Sequence, residues 1–174
     1  MGNTPFRYYK QYGHEGGCNT HFIACWPKVI KPGIITDQPG HVVDIVPTLL
    51  EITKYEYPEE YDGMKLKPLD GSSLFPIFNG KKRLEPEYFV SGLDKFRMYK
   101  RGKWKIVKVN DEDWQLYDME NDKTELNNSA GIYSEKVKEL SELYKKWYLE
   151  HDMIGKDSWS YGKGRWWLRK QENN

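Results

Sequence analysis

Phe96-Arg97-Met98-Tyr99-Lys100-Arg101-Gly102-Lys103-Trp104-Lys105-Ile106-Val107 decides the fold of this chain. Two runs rich in aromatic and β-branched residues flank a short basic turn, and Gly102 offers the positive φ that tight hairpins use. Tyr88-Phe89-Val90 precedes the hairpin as a further strand signal, and Trp114 to Tyr117 follows it as another. Four closely spaced strands joined by short turns predict an antiparallel sheet. Ser134 is read as the cap of a helix expected to run to about His151. Val137, Leu140, Leu143, Tyr144, Trp147 and Tyr148 form one apolar stripe, with lysines and glutamates opposite. Such a helix covers one face of the sheet.

Upstream the pattern is looser. The first thirty residues read as loop apart from an apolar strand, Phe22-Ile23-Ala24, stopped by Pro27. Val42 to Thr53 reads as a helix, with Ile45, Val46, Leu49, Leu50 and Thr53 at helical spacing and Asp44 as its cap. Pro47 is tolerated only near the helix start, so the helix begins close to Asp44. His41 is read as a helix-entry residue. Tyr55 to Lys82 is rich in Pro, Gly, Asp and Lys, and reads as a long connection with one apolar anchor at Leu74-Phe75. One boundary is placed near residue 84, separating 1–83 from 84–174.

Composition narrows the function classes. The 174 residues hold 13 Tyr, 7 Trp and 6 Phe, which bury much area per residue although the apolar fraction is only 38%. The net charge of +1 gives no reason to expect a nucleic-acid partner. No apolar run is long enough to span a bilayer, and the first residues carry no signal-peptide pattern. Cys18 and Cys25 form neither a zinc motif nor a disulfide framework, and read as reduced structural thiols. Asp62, Asp70, Asp118 and Asp122 sit in turn contexts with no metal-ligand spacing.

Chemistry concentrates near the start. Asn3-Thr4-Pro5-Phe6-Arg7-Tyr8-Tyr9-Lys10 leads into His14-Glu15-Gly16-Gly17, placing two cations, a histidine and a carboxylate against a glycine pair. Basic side chains gathered at a turn suit an oxyanion, although a solvated loop would show the same residues. This segment resembles the late active-site lysine segment of the sulfatase (arylsulfatase) family, within the alkaline phosphatase superfamily. The resemblance continues in order through Trp26-Pro27, Asp44-Ile45-Val46-Pro47-Thr48-Leu49-Leu50 and Gly71-Ser72-Ser73-Leu74-Phe75-Pro76. It extends through Gly102-Lys103-Trp104-Lys105-Ile106-Val107, Gln115-Leu116-Tyr117-Asp118 and Asp122-Lys123-Thr124-Glu125 with Asn127-Asn128.

The resemblance implies a fold and a chemistry. Residues 1–83 are expected to end a large catalytic α/β domain. Residues 84–174 would form its C-terminal subdomain, about four antiparallel strands packed on a helix, with an aromatic and basic tail. In the family mechanism a hydrated formylglycine, activated by a calcium-type cation, attacks sulfur, and the alcohol leaves with a proton from lysine or histidine. Lys10 matches the lysine near the leaving oxygen, and His14 is a second catalytic candidate. Arg7 is a candidate for substrate contact. Trp166 and Trp167 in the tail are others, because aromatic faces suit sugar rings.

The formylglycine motif is C/S-x-P-x-R. Cys25-Trp26-Pro27-Lys28-Val29 has Val29 where arginine is required, and the family's metal-holding aspartates and D-N-G run should precede Asn3, so neither the nucleophile nor the Ca2+ ligands are expected in this chain. The chain therefore looks like the C-terminal third of a sulfatase. Its expected partners are the family's N-terminal sulfatase domain and a sulfated small molecule or sulfated glycan. The chain itself does not give its location; the resemblance suggests export, to the periplasm, the exterior or a lysosome. Two other readings stay open: a phosphate or phosphonate monoester hydrolase of the same superfamily, and a non-catalytic module that binds sulfated glycans.

Overall fold

A computed structural model describes residues 3–93 and 96–151. The tail that carries Trp166 and Trp167 lies outside the described residues. The chain divides into two compact units. One spans Phe22–Pro86, and the other joins the residues before it to those after it. The segment holding Lys10 and His14 thus folds with the later sheet, which a single boundary near residue 84 does not anticipate.

In the discontinuous unit, a one-turn helix α1 (Glu15–Cys18) closes the N-terminal segment. In the Phe22–Pro86 unit, a 3-10 turn at Val42–Asp44 runs into helix α2 (Ile45–Thr53). A small hairpin of β1 (Glu60–Tyr61) and β2 (Met64–Lys65) and a short helix α3 (Phe75–Phe78) follow. The discontinuous unit resumes with β3 (Phe89–Leu93), β4 (Phe96–Arg101), β5 (Trp104–Val109) and β6 (Gln115–Asp118). These strands form one antiparallel sheet in sequence order, followed by helix α4 (Ser134–Glu150), whose cap position is Tyr133 and not Ser134.

The sheet has two covered faces, and the two-residue period of a strand assigns side chains to each. Tyr99, Ile106 and Leu116 point to α4, where Leu140 and Tyr144 complete a buried cluster with Val137, Leu143, Trp147 and Tyr148 around it. Met98, Val107 and Tyr117 form the other cluster. The register pairs Lys105 with Tyr117 and Val107 with Gln115, so Lys105 and Gln115 share that second face. The expected sheet and helix are therefore present, with Arg101 opposite Trp104 across a turn that has Gly102 at φ +54°.

The Phe22–Pro86 unit corrects three expectations. Phe22-Ile23-Ala24 is irregular, with Phe22 and Ile23 exposed. Among the described residues no strand lies beside it to take up its backbone groups. The long connection contains the β1–β2 hairpin, turned by Asp62 and Gly63 at φ +51° and +73°. That pair of positive φ values is the Asp-Gly hairpin signature.

Asp44, finally, does not cap α2 with its side chain. Its carboxylate accepts the His41 N–H (2.8 Å) and the Ser72 N–H (2.9 Å), and pairs with Arg83 at 3.0 Å. His41 does act as an entry residue, its ring nitrogen accepting the Val43 N–H. Thr48 donates to the Asp44 carbonyl and accepts the Leu74 N–H at 2.8 Å. A Cβ on Gly71 would stand 2.2 Å from the Val43 carbonyl oxygen, so only glycine allows this approach. The Asp-x-x-x-Thr and Gly-Ser-Ser-Leu segments are thus the two halves of one buried polar joint.

Candidate active-site turn

Lys10 sits on a turn just before Tyr12, whose ring packs on Phe96 of the sheet at 4.4 Å between centroids. The Tyr12 N–H donates to the Tyr9 carbonyl (3.2 Å), which leaves Lys10 and Gln11 at the corner, Gln11 at φ +82°. Tyr8 is also left-handed, at φ +63°. Two non-glycine residues in that region within four positions mark a backbone held by its surroundings. Lys10 is exposed.

The neck of this turn is closed. The Gly16 N–H donates to the Arg7 carbonyl at 3.0 Å, and a Cβ on Gly16 would lie 2.2 Å from that oxygen. This is the physical need behind the glycine pair after Glu15.

Beneath the neck lies a buried group of charges. Lys105 Nζ is 2.6 Å from Glu15 Oε1 and 2.8 Å from Glu125 Oε1. Neither Lys105 nor Glu125 reaches solvent. The other Glu125 oxygen accepts the Glu15 backbone N–H at 2.7 Å. Arg7 Nη1 donates to the Glu125 carbonyl (2.8 Å) and to the Tyr117 hydroxyl (2.9 Å). Two cations and two carboxylates thus share one network. Burial works against the Lys105 ammonium, but Cys18, Glu15 and Glu125 outweigh it and raise its pKa. Burial likewise pushes the Glu125 carboxyl up, opposed by Lys105 and the Glu15 N–H. Glu125 itself is at φ +59°. Asp122 holds that turn by accepting the Leu126 and Asn127 N–H groups, while Asn128 Oδ1 accepts the Leu116 N–H.

His14 is fully enclosed rather than exposed beside Lys10. It packs between the rings of Tyr8, Tyr12 and Tyr117, and its Nε2 lies 3.1 Å from Gln115 Oε1. The amide oxygen can only accept, so Nε2 carries the hydrogen and Nδ1 is bare, with no protein partner. Burial, with smaller repulsion from Arg7 and Lys105, lowers its pKa to about 4. A neutral imidazole at pH 7 results.

Arg7 is occupied by Tyr117 and Glu125 rather than by Glu15. Partial burial opposes its charge, and the contacts with Tyr117 and Tyr8 overcome that and raise its pKa. Lys105, Gln115, Tyr117 and Glu125 were not singled out by sequence reasoning. The available signal was Lys105, a charge inside the apolar run of β5 on a face shared with Val107.

Among the described residues, no group of three or more His, Cys, Asp or Glu is placed to hold a metal ion. Cys25 stands in an irregular segment of the other unit and lacks the motif arginine. The described residues do not fit a formylglycine and calcium centre.

Residues 5–151 match the family model described as N-sulphoglucosamine sulphohydrolase, C-terminal, and the chain belongs to that family. It is 31% identical over 158 residues to an uncharacterized sulfatase of Schizosaccharomyces pombe, covering 87% of this chain and 28% of that protein. With an N-acetylgalactosamine-6-O-sulfatase of Bacteroides thetaiotaomicron it shares 30% over 164 residues, 82% of this chain and 30% of the relative. An ulvan-active sulfatase of Formosa agariphila is 36% identical over 98 residues, 52% of this chain and 18% of the relative. The crystal structure of Ps i-CgsB has the same fold over 83% of this chain and 32% of its own, with TM-score 0.63 and 23% identity. The chain thus spans less than a third of the length of these relatives.

Proposed function

We propose that this chain supplies the leaving-group side of a sulfuric ester hydrolase pocket, with Lys10 as the residue that meets the ester. The observation that carries this reading is the exposed Lys10 on a turn fixed by a buried charge network, in a member of a sulfatase family. Breaking the S–O bond of a sulfate ester puts negative charge on the leaving oxygen. A fixed ammonium stabilises that charge far better in a site drier than bulk water. His14, neutral and enclosed, supports the turn from beneath in this reading, and Arg7 orders it through Glu125.

The nucleophile and cation implied by the family belong, in this proposal, to an N-terminal sulfatase domain that packs on this chain. Helix α2 supports that partner. It turns Asp44 and Thr48 inward and leaves Ile45, Val46 and Leu49 at 41%, 46% and 55% exposure, the reverse of a helix that covers its own core. The substrate class is a sulfated sugar or a sulfated small molecule. The names of the ulvan-active and N-acetylgalactosamine-6-O relatives favour the sugar.

The test is aryl sulfate and sulfated-sugar turnover by the sulfatase that contains this chain, with and without Lys10→Ala. The isolated chain is expected to be inactive, and turnover by it alone would refute the division of labour proposed here.

A further inference from the structure

We propose that Arg7, Glu15, Lys105 and Glu125 form a clamp whose task is to hold the Lys10 turn in one presentation, making Lys105 and Glu125 positioning residues. Its importance for catalysis rests on the reading of Lys10 given above; the clamp itself does not.

Three observations carry it. The four residues come from separate places: two from the ends of the turn, one from the middle of β5 and one from the loop after β6. Glu125 alone touches both ends, taking the Glu15 N–H on its carboxylate and the Arg7 guanidinium on its carbonyl. To do so it adopts φ +59°, a conformation that a glutamate holds only when its contacts compensate.

The face of β5 is the second argument. Lys105 lies between Tyr117 on β6 and Lys100 on β4 and shares its face with Val107, where an apolar side chain would pack against the sheet more simply. A buried cation there has a partner on the turn and another on the loop, and so fixes one register between them. Third, the charges balance within the network, two positive and two negative. Loss of Lys105 strands its two carboxylates in a dry place, and loss of any one of the four releases an end of the turn.

The clamp differs from general stabilisation in where its loss is felt. Removing it should free residues 6–17 while the sheet and α4, which pack through Tyr99, Ile106, Leu116, Leu140 and Tyr144, keep their contacts. Amide hydrogen exchange on the full chain reads this directly. In Lys105→Met and Glu125→Gln, peptides from 6–17 are expected to exchange faster by about tenfold or more relative to any change in peptides within 104–109 and 137–148. Arg7→Met leaves Lys105 and both carboxylates paired and therefore keeps the fold, and it should accelerate only 6–17. Lys105→Arg, which keeps the charge, should restore protection. Lys103→Met, which removes a half-buried pair with Asp118 of β6 outside the network, should change neither region.

Wild-type protection of 6–17 in Arg7→Met and Glu125→Gln would overturn the clamp. Equal loss of protection across turn, sheet and helix in Arg7→Met would also overturn it, because the network would then be ordinary core. Because exchange is read without substrate, an inactive Lys10→Ala enzyme with an intact clamp, or the converse, separates the two proposals.

Discussion

The Lys105 ammonium lies 2.8 Å from the Glu125 carboxylate, and both side chains are shut off from solvent. That pair joins the central strand of the sheet to a loop and, through the Glu15 N–H, to the turn that carries Lys10. An attraction so placed is a matter of specificity as much as of stability. Desolvation offsets much of the Coulomb gain, yet removing one partner is expensive.

Lys105→Met is therefore expected to destabilise the sheet-containing unit by about 3–5 kcal/mol, the range for breaking a buried ion pair. The double variant Lys105→Met/Glu125→Leu should recover part of that loss, since it removes the stranded carboxylate. Urea unfolding followed by tryptophan fluorescence measures both. A single variant that unfolds at the wild-type midpoint would contradict the burial of this pair.

His14 sets a pH dependence whose sign is fixed by its depressed pKa. The folded protein holds the ring neutral down to about pH 4, whereas the unfolded chain protonates it near 6.5. The contribution is thus fully present above about pH 6.5 and is lost as the pH falls toward 4, amounting to about 3 kcal/mol between those limits. His14→Gln keeps a hydrogen-bonding side chain and does not titrate. The difference in unfolding free energy between wild type and His14→Gln should therefore change across pH 6.5 to 4. A constant difference would show that the imidazole is not buried neutral.

Thr48 tests the polar joint in the other unit. Thr48→Val preserves shape but leaves the Leu74 N–H without its acceptor, which is expected to cost about 1–3 kcal/mol locally. Exchange of the Leu74 amide should accelerate while amides of β4 and β5 are unaffected. A protected Leu74 amide in the variant would show that the bond is dispensable.

Lys54 offers a prediction in the stabilising direction. It ends α2 at φ +56° and is exposed, a position where glycine is the ordinary occupant. Lys54→Gly should stabilise α2 by about 0.5–1 kcal/mol. Slower exchange along Thr48–Thr53 is the readout, and faster exchange would argue against a left-handed cap.

Much of this architecture is written in local patterns. The four strands, the turn at Gly102 and the stripe of α4 follow from two-residue and helical periodicities, because each buries a face that the sequence itself displays. The joint between Asp44 and Ser72 was not legible, since it depends on a carboxylate finding a backbone N–H 28 residues away. Phe22-Ile23-Ala24 misled for a related reason: an apolar run becomes a strand only beside another strand, and none of the described ones is there. At the candidate site, the glycine-closed turn around Lys10 was legible through its motif. The clamp was not, because Glu125 looks like any loop carboxylate and Lys105 like any solvent-facing lysine until the N-terminal segment is laid across the second face of the sheet.

The most direct measurement is kcat for an aryl sulfate in the sulfatase containing this chain, comparing Lys10→Ala with the parent enzyme at equal thermal stability. Loss of an ammonium that meets the leaving oxygen should lower kcat by about 10²–10³, the scale found when one oxyanion-stabilising donor is removed. An unchanged kcat, with or without a change in KM, would contradict the assignment of Lys10 to the reacting ester.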